Sequence, residues 1–452
     1  MAENYLLREA CGITLDFTKQ NISFQDFQSL VAHGKSVGLI EKYQIMCKGA
    51  VVNQSEGRAA LHTALRDFRD HALHHAEVSE VQNKMFAFAD AVRNGDWRGA
   101  SHEMITDVIN VGIGGSDIGP KAVWQALRPK KNAINLHFLS AADGVNFERI
   151  TVNLNPFTTL VVVSSKSFKT VETLANTHAI DQWFSNAGIQ GKDRNRHIVI
   201  ASANPEATSQ LQLPHANVFP FWEWVGGRFS VWGSVGLPLV IGLGSQVFQE
   251  FLRGAHAMDL HTSEASIDRN LPALIALLAF RNITEGQMPS YCWLPYDERL
   301  RGIVPWLQQL EMESLGKAAL DDDHPTGARV WGGHGNEAQH SFYQWLRAGT
   351  GNTAIDICWC EKAGHDMKEL HRLLINSAKA QVEALANRDN KNYQNAISTL
   401  CIDDLTPARL GALMAMYEHK TTMLGTLFGI NPFDQPSVEF GKKLTLKLQT
   451  LQ

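Results

Sequence analysis

Apolar and polar positions divide the chain into two regimes. Residues 1–100 read as mainly helical, and Arg58–Asp70 carries helix formers with apolar Ala60, Leu61, Ala64 and Leu65 among charges. From about residue 105, short β-rich runs alternate with helical stretches. Strands are predicted at Ile105–Gly112, Ile134–Ser140, Thr158–Ser164 and His197–Ala203. The run Thr158–Ser164 is apolar throughout, as a strand buried on both faces requires. Helices are predicted at Lys121–Leu127 and Thr170–Phe184. Alternation of this kind predicts a parallel sheet with helices on both faces.

A second α/β unit is predicted beyond about residue 260. Its strands are Pro289–Leu294, Ala328–Gly332 and Thr353–Trp359, and its helices are Val304–Ser314, Gln339–Ala348, Met367–Ala386 and Pro407–Leu427. The predicted fold class is α/β. It has two doubly wound domains with central parallel sheets, a helical N-terminal region and a C-terminal helical tail. The expected boundaries are 1–100 (helical region), 101–255 (first domain), 256–428 (second domain) and 429–452 (C-terminal segment). Two such units favour a site at the carboxyl ends of strands, where helix N-termini point.

Composition narrows the function. The 452 residues are 44% hydrophobic and 19% charged, which excludes a disordered chain. The formal net charge of −5 argues against nucleic acid or an anionic membrane as partner, yet leaves room for a small basic pocket. Six cysteines without a C-x-x-C pair predict reduced thiols and a cytoplasmic protein, and the N-terminal residues do not resemble a secretory signal. Phe229–Gln249 is 21 residues without a charge, but its four glycines and one proline predict a buried helix rather than a membrane span. His71 and His75 share a helix face at i,i+4, but no third ligand motif accompanies them, so no metal is expected.

Six segments carry chemistry. Val111–Pro120 (VGIGGSDIGP) follows a strand; its glycines allow close approach to a phosphate, although Asp117 stands where a dinucleotide fingerprint has its third glycine. Ser164–Thr170 (SSKSFKT) gathers hydroxyls and lysines at a helix N-terminus. Capping would need one hydroxyl, and the surplus points to a phosphate dianion. Gly226–Trp232 holds Arg228 beside a bend; Glu311–Lys317 offers a carboxylate base near a Gly-Lys turn; Gln339–Gln344 contains His340; Phe433–Lys442 ends on a glycine and a lysine. Singly, the carboxylate segment, His340 and the C-terminal lysine read more simply as a solvated helix end, a structural histidine and a solvated lysine.

Together, in order, they resemble the glucose-6-phosphate isomerase (phosphoglucose isomerase) family. VGIGGSDIGP, SKSFKTVET, GGRFSVWGSVG, MESLGK, AQHSFYQWLRAGT and FDQPSVEFGK, with the earlier SEGRAALHTALR, are similar to that family's motifs from about Asn53 to Lys442. The resemblance implies two sugar-isomerase (SIS) domains. It also implies interconversion of D-glucose 6-phosphate and D-fructose 6-phosphate through a cis-enediolate, with no metal and no organic cofactor. It gives Glu313 as base, Arg228 as partner of the enediolate, His340 and Lys442 as ring-opening groups, and Glu172 as the residue orienting His340. It places Ser165, Lys166, Ser167 and Thr170 on the phosphate, and Gly115, Ser116 and Gln435 along the sugar phosphate. The family's histidine comes from the neighbouring subunit, which implies a homodimer with shared sites. Leu315 stands where the family has Asn, Lys169 where it has Thr, and Arg347 where it has a second His. Two other readings compete: a non-catalytic sugar-phosphate sensor, and an NAD-dependent dehydrogenase built on Gly112–Gly119.

Overall fold

The computed structural model describes residues 5–130, 134–204, 211–319 and 325–449. It contains two sheets. In the first, five parallel strands, β3 (Asp107–Val111), β4 (Asn135–Leu139), β5 (Thr159–Ser164), β6 (Ile198–Ser202) and β7 (Val218–Pro220), run in the order β4-β3-β5-β6-β7. Alternate residues serve its two faces. Val108, Leu160, Val162 and Val199 join the main core, while Ile109, Val161, Val163, Ile198 and Ile200 pack with Ile180 and Phe184 of the helix Val171–Asn186.

In the second sheet, β9 (Arg329–Gly332), β8 (Ser290–Pro295), β10 (Thr353–Cys360) and β11 (Asn395–Ile402) are parallel neighbours. The N-terminal stretch then departs from the helical expectation. It opens with a hairpin, β1 (Leu7–Ala10) and β2 (Ile13–Lys19), and β2 joins β11 antiparallel, so the sheet is mixed. Ile13, Leu15 and Phe17 alternate into the core with period two. The helices Phe24–Ser36, Leu39–Cys47 and His75–Asn94 do form. Arg58–Asp70, expected as helix, instead supplies only a short 3₁₀ turn at His62–Arg66. Here the buried side chains outweigh local propensity.

Inner faces of both sheets meet one core, built around the helices Ser245–Glu264, Leu271–Thr284 and Pro407–Leu427. The charge-free stretch lies inside the protein, with all of Leu237–Leu243 buried. Among the described residues, no helix is long and apolar enough to cross a membrane.

Helix Pro407–Leu427 carries buried charge through that core. Arg66, fully buried, donates two hydrogen bonds of 2.8 Å to Asp259 and one of 2.8 Å to Glu418, which also accepts from the Trp232 indole at 2.8 Å. His419 Nε2 donates to Asp259 at 2.6 Å, and Lys420 donates to Glu311 at 2.7 Å. Removing one partner of such a pair strands a buried charge. Arg66→Met is therefore expected to cost about 3–5 kcal/mol of stability, measured as a lowered denaturation midpoint, because Asp259 and Glu418 are left facing each other without their cation.

Candidate active site

In the first sheet the chain runs from β3 outward to β4, then crosses back to lay β5 on the other side of β3. That reversal opens a crevice beyond the carboxyl ends of β3 and β5, the favoured ligand position in such sheets. Val111 and Val163 are in register, so the turns that follow them are neighbours. These are two of the segments singled out by sequence, the glycine turn and the serine-lysine loop. Buried Asn110 ties them together: its amide donates to the Ser116 carbonyl at 2.9 Å, and its oxygen accepts from Ser164 at 3.3 Å.

The glycine turn lies backbone to backbone against the Gly226–Arg228 turn. A Cβ at Gly115 would collide with the Gly227 carbonyl, and Gly114 holds φ +61° under the Gln309 amide. This approach places Arg228 at the crevice floor. Arg228 is 5% exposed and donates to Ser314 Oγ at 2.7 Å, Gln435 Oε1 at 2.8 Å, Pro432 O at 2.6 Å and Asp434 O at 3.2 Å. The Glu313 carboxylate stands 3.4 Å from its Nη1 and is 25% exposed. Burial draws the Arg228 pKa down and the Glu313 charge draws it up, but the group stays cationic.

Glu313 follows a helix that starts at Ile303 and widens into a π-turn over Gln308–Met312. Glu311 and Glu313 point to different neighbours, as their spacing predicts: Glu311 is buried against Lys420 and faces away from Arg228. Leu315 enters the main core, fully buried. Lys317 donates to Asn431 O at 2.5 Å, Asp434 O at 2.7 Å and Asp434 Oδ1 at 2.5 Å. Thus two cations, Arg228 and Lys317, hold the segment 431–435, and Gln435 reaches Arg228 only because that segment is clamped. Sequence reading missed Gln309, Ser314, Lys317 and Asp434; the last three lie in or beside quoted motifs, and the spacing Gln309–Glu313 of one helical turn was a usable signal.

In the serine-lysine loop, Ser165 Oγ accepts from Phe168 N at 3.1 Å and Ser167 Oγ from Lys169 N at 3.3 Å; buried Phe168 is left-handed at φ +54°. Thr170 is the N-cap of helix Val171–Asn186, yet its hydroxyl caps none of that helix's N–H groups. Lys166 turns away from the loop mouth and donates to Glu223 O at 2.8 Å and Val225 O at 3.0 Å. Glu172 is half-buried in the first helical turn.

His340 is not brought to this cluster within the chain. The expected helix Gln339–Ala348 is broken into Gly335–Gln339 and Tyr343–Ala348, and His340 is exposed at the break. Among the described residues, no hydrogen bond or ion pair joins it to Glu172. Lys442 lies on the helix Val438–Gln449, and its side chain lies outside the described part of the structure.

A hydroxyl-rich loop, a glycine turn and a carboxylate–guanidinium pair thus gather at the crevice of a parallel α/β sheet. The phosphoglucose isomerase profile matches residues 16–451, and the chain belongs to that family. It is 40% identical to a glucose-6-phosphate isomerase of Burkholderia multivorans, over 96% of this chain and 85% of the relative. It is 37% identical to glucose-6-phosphate isomerase 1 of Chromohalobacter salexigens, over 96% of this chain and 83% of the relative. Among solved structures, a glucose-6-phosphate isomerase from Chlamydia trachomatis is similar at TM-score 0.87 and 28% identity, covering 100% of this chain and 91% of that one. A hypothetical protein from Thermus thermophilus is similar at TM-score 0.77 and 26% identity, covering 97% of this chain and 99% of that one.

Asp117, at the end of the glycine turn, is 5% exposed, and its Oδ1 has no partner. Burial pushes its pKa up from 3.8 to about 6, against an opposing pull from Lys121. A raised folded pKa means that the stability is complete below 3.8 and is lost as pH rises through 6. Asp117→Asn is expected to abolish that loss and to be more stable than the parent above pH 6, by at most about 3 kcal/mol, read from thermal midpoints across pH.

Proposed function

We propose that this chain interconverts D-glucose 6-phosphate and D-fructose 6-phosphate, acting in glycolysis and gluconeogenesis. The observation that carries the reading is the Glu313 carboxylate 3.4 Å from the buried Arg228 guanidinium, above the glycine turn and beside a hydroxyl-rich helix N-terminus. Aldose–ketose exchange needs a base for the proton alpha to a carbonyl and a fixed cation for the enediolate that results. Glu313 takes the C2 proton and returns it to C1. Arg228, oriented by four acceptors, faces the charge on the enediolate oxygens without having to reorganise.

The phosphate sits at the start of helix Val171–Asn186, on the backbone N–H groups and on the hydroxyls of Ser165, Ser167 and Thr170. Lys166 acts by holding the loop to the 223–225 turn while adding positive potential. Gly115, Ser116 and Gln435 line the sugar phosphate. His340 and Lys442 open the ring, with Glu172 orienting the histidine. Exposure of His340, whose imidazole has no hydrogen bond or ion pair among the described residues, supports its donation to a second copy, so the working unit is a homodimer with shared sites. The reaction needs no metal and no organic cofactor, and the enzyme works in the cytoplasm. The proposed units remain 101–255 and 256–428, flanked by 1–100 and 429–452.

Fructose 6-phosphate supplied with a chelator is expected to yield glucose 6-phosphate in a coupled assay; absence of turnover overturns the reading. Glu313→Gln is expected to lower kcat roughly 10²–10⁴-fold while binding of a sugar-phosphate analogue survives. An unchanged kcat in that variant would move the base to another residue.

A further inference from the structure

The proposed reaction leaves one buried ion pair beside the base unused. Glu311 is 3% exposed and Lys420 is 1% exposed; they meet at 2.7 Å, and the Lys420 ammonium lies 4.0 Å from the centre of the Tyr291 ring. Asp356 is close by, accepting from Tyr291 at 2.5 Å and from Tyr417 at 2.8 Å. Glu311 lies within the π-turn Gln308–Met312, and Glu313 is the first residue of the turn that follows. A π-turn adds a residue to one turn, so it rotates everything beyond it relative to a regular helix.

The two halves of the catalytic pair are held very differently. The Arg228 side chain is fixed by four hydrogen bonds and the close packing of two glycine turns. The Glu313 carboxylate is a quarter exposed, and its ion-pair contact is the 3.4 Å approach to Arg228. Its direction therefore depends on the backbone that carries it. That backbone is tied from behind, one residue inside the π-turn, to the buried helix Pro407–Leu427.

We propose that Glu311 and Lys420 are a positioning pair: they hold the π-turn against helix Pro407–Leu427 and so set where the Glu313 carboxylate stands over Arg228. This rests on the reading of Glu313 as the base. Stability alone accounts poorly for the pair, because well-packed apolar side chains replace buried ion pairs at little or no cost. A geometric role is different, because catalysis falls steeply when a reacting group is displaced by about 1 Å.

The test uses the full chain with Glu311→Met/Lys420→Met, Glu311→Gln and Glu313→Gln in parallel, each checked by circular dichroism and thermal melting. In Glu311→Gln the amide oxygen still accepts from Lys420, and Asp356 remains as countercharge. The double variant is expected to fold and to lose kcat roughly 10–100-fold, with KM for fructose 6-phosphate within about twofold of the parent. Glu311→Gln is expected to keep kcat within about threefold. A folded double variant with parental kcat overturns the proposal, as does a Glu311→Gln loss equal to that of the double variant. Should the double variant not fold, Glu311→Met, which leaves Lys420 beside Asp356, is measured instead; failure of both to fold assigns the pair to stability and overturns a positioning role. Parental kcat in Glu313→Gln would instead refute the base assignment, which separates the two failures.

Discussion

Charge buried along one helix is the constraint from which the rest of this structure follows. Glu418, His419 and Lys420 occupy consecutive positions of Pro407–Leu427, all buried, and a helix directs consecutive side chains about 100° apart. They therefore reach different parts of the molecule. Glu418 meets Arg66 of the N-terminal region and Trp232 of the first unit; His419 meets Asp259 of the helix Ser245–Glu264; Lys420 meets Glu311 of the helix bearing the base. The two charged groups are costly to bury, as is the polar imidazole of His419, and each is tolerable only with its partner in place. Elements far apart in sequence are thus required to dock together or not at all.

The site is assembled in the same manner, by cations that collect carbonyl and carboxylate oxygens. Arg228 and Lys317 come from separate turns and converge on residues 431–435. Asn431 in turn donates to Asn53 at 2.9 Å, and Ser55 bonds to Asp434, so the early SEGR segment closes the same ring. Its resemblance to a family motif thereby acquires a physical reason. It contributes a wall that holds the FDQ segment over Arg228. Phe433 is fixed by the same closure, at 5.8 Å from the Phe229 ring that follows Arg228.

How far this was legible in the sequence varied with the kind of signal. Strands β3, β5, β6, β8 and β10 were readable because buried parallel strands are continuous apolar runs. Strand β11 was hidden by Ser398 and Thr399 in its middle; Ser398 is buried there because Gln20 donates to it at 2.8 Å, a contact between residues 378 apart. Strand β7 has three residues, too few for any period. The alternation in Ile13–Lys19 was present but lost among helical neighbours. Arg58–Asp70 misled because helix formers and dense charge there suggested a helix, whereas Arg66 is among the most deeply buried side chains. Local motifs showed which residues carry chemistry. They could not show that Lys166 would be spent on two carbonyls of the 223–225 turn, since that depends on a loop remote in sequence.

The segment Glu311–Lys317 shows how narrowly residue type is fixed where these constraints meet. Glu311 pairs with Lys420 behind the helix, Glu313 and Ser314 turn to Arg228, and Leu315 points into the core. Gly316 follows because a Cβ there would press on the Met312 carbonyl, and Lys317 then reaches Asp434. Five of the six side chains in this segment thus have fixed contacts, in four different surroundings. An apolar residue at 315 in place of the family's Asn is absorbed, because that position looks away from the polar cluster and is lined by the main core. The same substitution at 314 would remove the acceptor of the Arg228 Nε–H and leave a buried guanidinium donor unsatisfied. Tolerance at one position and intolerance at the next follow from helix geometry, with the identity of the reaction playing no part.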